Sequence, residues 1–155
     1  MIKMNNLMRI KIEEANKFKD EKKFRDPKKI EKICENILKY TKLIQGCVIY
    51  DEHNMFNKND KKLNISDGSN FSIYEYDCSE IVFQLNSIYD NEILLFIDTL
   101  LLKLTQKYHN KKFCVIVCIN KWYFIVRFHV YRENEGLPFS DNLDLYDDPI
   151  IYKIG

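Results

Sequence analysis

The sequence predicts one α+β domain over residues 1–155, in which an antiparallel sheet with a central hairpin packs against two main helices. Two segments, 27–45 and 90–108, repeat apolar residues at the spacing of a single helix face. Two neighbouring apolar segments, 113–119 and 122–131, meet at a short Asn120-Lys121 turn, which predicts a β-hairpin. Ten Phe and ten Tyr residues are typical of strands, and 155 residues suffice to bury a substantial core.

The two helices differ in how much of their surface is apolar. The first is predicted to begin at Asp26-Pro27, because Asp is a good N-cap and Pro loses no hydrogen bond at the first helical position. Gly46 is its predicted stop signal. The second helix is apolar beyond one stripe, so we expect it either between two layers or with a patch left for a partner.

The strands are predicted from shorter patterns. Segment 113–119 is apolar throughout, as in the centre of a sheet, whereas 122–131 alternates. We expect further strands at 47–52, 71–77, 80–85 and 149–154, although 80–85 could instead begin a helix. Residues 1–25 are expected to be a mobile stretch with a short strand or helical piece around 8–12, and residues 53–70 to form a loop.

Charge is distributed unevenly along the chain. Residues 1–43 carry thirteen Lys or Arg and seven Asp or Glu, whereas residues 133–155 carry six carboxylates and one Lys. The whole-chain net charge of +1 hides this polarity. A charge-complementary partner could recognise either end of the molecule.

Motifs of catalysis and cofactor binding are missing from the sequence. There is no GxGxxG, GxxxxGK[ST], HExxH or CxxC motif, so we expect no cofactor, no metal site and no enzymatic activity. The closest approach to a metal loop is Asp141 to Asp148, which lacks the central Gly and terminal Glu of a calcium loop. The five cysteines are expected to be buried, reduced thiols. His129 shares a strand face with Arg127 and Tyr131, which a catalytic or a structural role would both explain.

No segment of the sequence predicts export or membrane insertion. The first twenty residues carry charges throughout, unlike a signal peptide, and the longest apolar run is interrupted by Asp98. We therefore expect a cytoplasmic protein that has no membrane partner.

The most distinctive stretch follows the predicted hairpin. Its row of carboxylates could imitate phosphate charge and suit a partner whose cleft is lined with Lys and Arg, such as a nuclease. Leu143, Leu145, Tyr146 and Phe139 could anchor that partner; alternatively, Leu143, Leu145 and Tyr146 could dock the stretch onto its own sheet while the Asp residues face water. The candidate partner-binding residues are Glu133, Glu135, Asp141, Asp144, Tyr146, Asp147 and Asp148. Asp98, with Leu95 and Leu102, forms a second candidate surface.

The same stretch carries a family resemblance. An aromatic strand running into Arg132-Glu133-Asn134-Glu135-Gly136, followed by Asp141-Asn142-Leu143, Tyr146 and Asp148-Pro149-Ile150-Ile151, resembles the tail of small bacterial immunity proteins. These include proteins encoded beside contact-dependent growth inhibition toxins and related polymorphic toxins. The resemblance covers about 25 residues. It implies a toxin inhibitor without enzymatic activity, whose partner is a cognate toxin domain.

Two alternatives stay open at this point. The basic N-terminal third, with seven Lys and Arg over residues 17–29, could serve a nucleic-acid-binding accessory or regulatory protein. Asp20, Glu21 and Asp26 dilute that basic charge, which disfavours nucleic acid as a partner. A small hydrolase or transferase ranks third, and it predicts a concave pocket that contains His129 or a cysteine.

Overall fold

The computed structural model describes residues 1–17, 25–56 and 70–155. Four helices and seven strands are found in these residues. In chain order they are β1 (Ile2–Met4), α1 (Asn6–Lys17), α2 (Pro27–Lys39), β2 (Thr41–Ile44), β3 (Cys47–Tyr50), α3 (Phe71–Cys78), β4 (Ile81–Gln84), α4 (Ile93–Lys107), β5 (Phe113–Ile119), β6 (Tyr123–Val130) and β7 (Ile150–Ile154). The α+β class predicted from the sequence is confirmed.

The main sheet has five antiparallel strands in the order β1-β7-β5-β6-β4, and β2 and β3 form a separate hairpin. β5 lies at the centre, between β6 and β7. Its uninterrupted apolar sequence follows from this place, because both of its faces are covered. The predicted 113–119/122–131 hairpin and its central position are confirmed.

One face of the sheet is covered by a helix layer. Val115 and Val117 of β5 and Phe124 and Val126 of β6 point into the main core, where α4 packs directly on β5. α2 packs on the outside of α4, so α4 is sandwiched between two layers. That position explains why α4 is apolar around more than one stripe. Leu102 is its exception, with 58% of its surface exposed.

The opposite face of the sheet is covered by α3 and by the connection between β6 and β7. Cys114 and Ile116 of β5 and Tyr152 of β7 form a second buried cluster with Leu143 of the connection. Strand register explains which side chains enter which of the two clusters, because Ile116 pairs with Tyr152 whereas Val115 pairs with Lys153. Side chains of successive residues therefore alternate between the two cores.

One predicted element type and one predicted helix end are wrong. Segment 71–77 is helix α3 and not a strand, and the Asn70 side chain caps it by accepting a hydrogen bond from the Ile73 amide. The first helix ends at Lys39 instead of continuing to residue 45. Gly46, at φ +79°, turns the β2–β3 hairpin together with Gln45 and does not stop a helix.

The N-terminus is more ordered than its composition suggests. β1 pairs with β7, and α1 runs from Asn6 to Lys17, so the expected mobile stretch is wrong for these residues. Residues 18–24 of that stretch, and 57–69 of the loop expected at 53–70, lie outside the described residues. In the described parts of the chain, no helix has both the length and the apolar character needed to cross a bilayer.

Candidate protein-binding surface

The connection after β6 is held on the sheet by apolar side chains. We call residues 133–148 the acidic segment, since it carries six carboxylates and no Lys or Arg. Leu143 is buried, and Leu137, Phe139 and Tyr146 pack partly buried against the second cluster. The Phe139 ring lies edge-on to Tyr152, with 5.2 Å between ring centroids. The apolar residues therefore dock the segment onto its own sheet, which leaves the intervening carboxylates at the surface.

Asn5 supplies the polar part of this attachment. Its side chain is buried, and its Nδ2 donates to the Asp148 carbonyl at 2.8 Å. Its Oδ1 accepts hydrogen bonds from the Met8 amide at 3.0 Å, which caps α1, and from the Ile150 amide at 3.1 Å. One side chain thus joins the start of α1 to the end of the acidic segment and the start of β7.

Replacing Asn5 with Ala should lower the free energy of unfolding by about 2 kcal/mol, since it removes a helix cap and leaves buried backbone groups unpaired. Urea unfolding followed by circular dichroism measures this change. Asn6→Ala is the matched control, because the Asn6 side chain is exposed and, among the described residues, hydrogen-bonds only to Arg9. An Asn5→Ala variant as stable as Asn6→Ala would contradict the role of Asn5.

Glu135, one of the predicted partner-binding residues, is used inside the molecule. Its carboxylate accepts hydrogen bonds from the Ser72 amide at 2.7 Å and from the Ser72 hydroxyl at 2.6 Å. Burial opposes ionisation, but the hydrogen bonds from Ser72 and the nearby Arg132 hold the pKa of Glu135 below its usual value. Glu135 therefore attaches the acidic segment to the N-terminus of α3 and is not free for a partner.

Two further carboxylates serve both structure and surface. Asp141 accepts a hydrogen bond from Lys3 Nζ at 2.6 Å, and this interaction lowers the pKa of Asp141. Asp144 Oδ1 accepts from the Asn6 amide at 2.8 Å, where the helix dipole of α1 also favours negative charge. Both side chains remain exposed, so they still contribute negative charge to the surface.

Three predicted residues are exposed and uncommitted. The carboxylates of Glu133, Asp147 and Asp148 have no ion pair or side-chain hydrogen bond with any other described residue. Leu145 lies among these acids with 70% of its surface exposed. Tyr146 differs, because its ring is half-buried in the second cluster and its hydroxyl accepts from the Ser140 amide. The surface therefore combines free carboxylates with an exposed Leu, and Tyr146 supports it from below.

The structure does not bring Asp98 to this surface. Asp98 lies on α4 and pairs with Lys153 at 2.6 Å. Lys153 is the register partner of Val115, whose side chain lies on the helix-covered face of the sheet. Asp98 and the acidic segment consequently lie on opposite sides of the sheet, and one partner contact would not include both.

A buried ion pair lies behind the acidic segment and was missed at the sequence level. Glu75 of α3 is fully buried and accepts from the amides of Val48 at 2.6 Å and Val130 at 2.9 Å. Arg132 completes the set with two hydrogen bonds of 2.8 and 3.1 Å to the two Glu75 oxygens. Burial raises the pKa of Glu75, whereas Arg132 and the two amides favour its ionised form. The pair joins α3, β3 and β6 just where the acidic segment begins.

His129 and three of the five cysteines, Cys34, Cys47 and Cys114, are buried, whereas Cys78 and Cys118 are half-buried instead of buried as expected. His129 is fully buried, its Nδ1 lies 2.9 Å from the Val130 carbonyl, and burial lowers its pKa. Burial also raises the pKa of Cys34 to about 12 and that of Cys47 to about 11. Two grooves of about 610 and 670 Å³ flank α1, and neither is lined by His129 or a cysteine. No described residues group three or more potential metal ligands.

Four of the basic side chains that the structure describes in the N-terminal third are paired with carboxylates. Lys3, Lys29 and Lys42 form ion pairs of 2.5–2.6 Å, and Lys11 pairs with Asp90 at 3.3 Å. Lys29 also lies over the Tyr89 ring, 4.4 Å from its centroid. A phosphate backbone would have to compete for these side chains.

Comparison with known protein families gives a match over nearly the whole chain. The model of the uncharacterized protein PM0498 family matches residues 3–154. No curated protein and no solved structure matches the chain. The matched region contains the acidic segment and the main sheet apart from Ile2, the first residue of β1.

Proposed function

The chain belongs to the uncharacterized protein PM0498 family, and we propose that it is a cytoplasmic, non-enzymatic immunity protein. It binds a cognate bacterial toxin domain, of the kind used in contact-dependent growth inhibition, and neutralises it by charge-complementary occlusion. The acidic segment presents the contact carboxylates, with Asp147, Asp148 and Glu133 as the free ones.

The observation that carries this proposal is the exposed Leu145 among carboxylates held on a rigid support. Protein interfaces gain most of their binding energy from desolvated apolar or aromatic side chains, while surrounding charges steer association. An exposed Leu is ordinary by itself. Its position between Asp144 and Asp147, on a segment fixed by Asn5 and Leu143, supports a partner with a basic rim around an apolar site.

A nuclease domain is the toxin class that fits best. The active site of a nuclease binds phosphates through Lys and Arg, and a fixed row of carboxylates can bind to the same positively charged side chains. Binding there would exclude nucleic acid without any reaction by the inhibitor.

The test is co-expression with the toxin domain encoded beside the gene. We expect normal growth when both proteins are made, arrest when the toxin is made alone, and a stable 1:1 complex on size exclusion. The association rate should fall steeply between 50 and 500 mM salt, because screening weakens steering. Toxicity that persists in the presence of the protein, with no complex formed, would overturn the proposal.

A filter-binding assay on the same purified protein distinguishes the proposed function from the nucleic-acid-binding alternative. That alternative predicts retention of labelled RNA or DNA on filters, with a signal that vanishes when the Lys and Arg residues of 17–29 are neutralised. The proposed function predicts no such retention at physiological salt.

A further inference from the structure

The outer edge of β1 is an open strand edge among the residues that the structure describes. β1 is the last strand of the main sheet on its side and pairs only with β7. Met1 and Asn5 form main-chain hydrogen bonds with β7 of 2.8 and 3.0 Å. Main-chain groups of successive residues in an antiparallel strand point in opposite directions, so those of Ile2 and Met4 point away from the sheet.

A groove of about 610 Å³ follows this edge. Ile12 of α1, which belongs to the main core, lines it from one side, and Leu143 of the acidic segment, which belongs to the second cluster, lines it from the other. The sheet separates these two cores, and none of the described residues of β7 lines the groove. The groove can therefore contact both layers only beyond the last strand, where the outward groups of Ile2 and Met4 lie.

The wall on the helix side of the groove is largely apolar. Met4 packs against the main core, and Ile2, two residues earlier in the strand, points its side chain to the same face. Ile12 lies beside them, and Arg9 and Glu13, of opposite charge, complete this wall. Ile2 is 43% exposed, so apolar surface remains here that a partner could bury.

The opposite wall carries more negative than positive charge. It is formed by residues 141–144 of the acidic segment together with Lys3. Lys is a residue that protects open strand edges, but Asp141 holds the Lys3 ammonium at 2.6 Å. Asp144 is exposed and forms no ion pair with any described residue. One carboxylate of this wall is therefore free to pair with a cation of a partner.

We propose that this groove receives an extended segment of the toxin domain, which joins the main sheet as a sixth strand beside β1. The inference rests on the proposed function and names the part of the partner that docks. The outward main-chain groups of Ile2 and Met4 hydrogen-bond to the added strand, and the walls of the groove select its side chains. Because side chains alternate along a strand, those of the added strand are apolar where they face Ile12 and basic where they face Asp144.

The geometry disfavours two other occupants of the groove. A second copy that paired its β1 antiparallel to this one across a two-fold axis would place both acidic segments on the same face of the joined sheet, where like charges repel. A nucleic acid has no peptide groups to pair with Ile2 and Met4, and its phosphates would face Asp144. An extended protein segment fits both the open edge and the acidic wall.

Amide hydrogen exchange of the ¹⁵N-labelled wild type tests the strand pairing directly. In the free protein, the Ile2 and Met4 amides should exchange fast, whereas the Lys3 amide, which faces β7, should exchange slowly. On binding an unlabelled, catalytically inactive toxin domain, the Ile2 and Met4 amides should exchange about 100-fold more slowly, because they are then hydrogen-bonded. The Lys3 amide is the internal control, since it is paired in both states and reports any general stabilisation.

Met4→Pro tests the same contact by substitution. Pro lacks the outward N–H and breaks no hydrogen bond to β7, since only the inward-facing amides of β1 form such bonds. Met4→Ala is the matched control, because it removes the same side chain and keeps the amide. Met4→Pro should dissociate from the toxin domain about 30-fold faster than Met4→Ala, because a donor is lost and the ring obstructs the added strand. Should Met4→Pro not fold, the exchange measurement on the wild type decides alone.

The outcomes separate this inference from the proposed function. A complex in which the Ile2 and Met4 amides still exchange fast, or from which Met4→Pro dissociates no faster than Met4→Ala, would overturn the inference and leave the proposed function standing. No complex with the wild type would overturn both. Protection of the two amides that appears when the free protein is concentrated, without the toxin domain, would identify a second copy as the occupant and overturn the inference.

Discussion

Replacing Arg132 with Met should lower the free energy of unfolding by about 3–5 kcal/mol at pH 7, because it leaves Glu75 as a buried carboxylate without its cation. Arg132 donates to both Glu75 oxygens and also reaches the Gly46 carbonyl at 3.2 Å. Met keeps most of the side-chain volume over the Phe71 ring, so the loss reports charge more than packing.

The sign of the pH dependence follows from the same geometry. Burial raises the pKa of Glu75, and the variant lacks the cation that opposes this rise. The folded variant then binds a proton more tightly than the unfolded chain, whose Glu pKa is about 4.3. Stability falls as pH rises through the folded-state pKa, so the deficit relative to wild type should be larger at pH 8 than at pH 5.

Urea unfolding of wild type and Arg132→Met at pH 5 and pH 8 measures this difference. The control is the double variant Glu75→Gln/Arg132→Met, which has no carboxylate at this position, so its free energy of unfolding should change less between the two pH values than that of Arg132→Met. A single variant that loses less than about 1 kcal/mol, or that has equal deficits at pH 5 and pH 8, would show that Glu75 does not depend on Arg132.

The sequence pattern of residues 71–77 predicted a strand, and the buried contacts of α3 explain why the chain forms a helix there instead. Over residues 71–77, polar and apolar residues alternate, which suits a strand. The helix places Ser72 and Glu75 on one buried face, where Arg132 and Glu135 satisfy them. Those partners lie about 60 residues away in sequence, so a pattern read within a short window of the sequence cannot reveal them. By contrast, α4 and the β5–β6 hairpin carry strong local signals and were predicted closely.

The candidate surface was predictable only in part, for the same reason. The sequence left open whether the interleaved apolar residues dock the stretch or anchor a partner; in the structure Leu143 is buried and Tyr146 half-buried, whereas Leu145, Asp147 and Asp148 are exposed. Long-range contacts decide which carboxylates form hydrogen bonds within the molecule, as Glu135 does with Ser72. The separation of Asp98 from the acidic segment depends on which sheet face each element covers, which helix periodicity does not specify.

Reversing the charge of Asp147 and Asp148 together should abolish protection against the toxin. Asp147→Lys/Asp148→Lys changes the net charge by four units at two exposed side chains that form no ion pair or side-chain hydrogen bond with any described residue. Steering by a focused field can change association rates by 10–10³. We expect the association rate to fall about 100-fold at low salt, with a smaller change in the dissociation rate.

The control variant must change the net charge by the same four units at a place away from the acidic segment. Glu31→Lys/Glu35→Lys does so on α2, where both side chains are exposed and share Lys103 in the helix layer behind the sheet. Interferometry against the inactive toxin domain should show a small effect for this control. At 1 M salt, where the Debye length is about 3 Å, the two variants should converge. Full protection by Asp147→Lys/Asp148→Lys, or an equal loss in the control, would mean that the location of the negative charge does not matter. The acidic segment would then not be the contact surface.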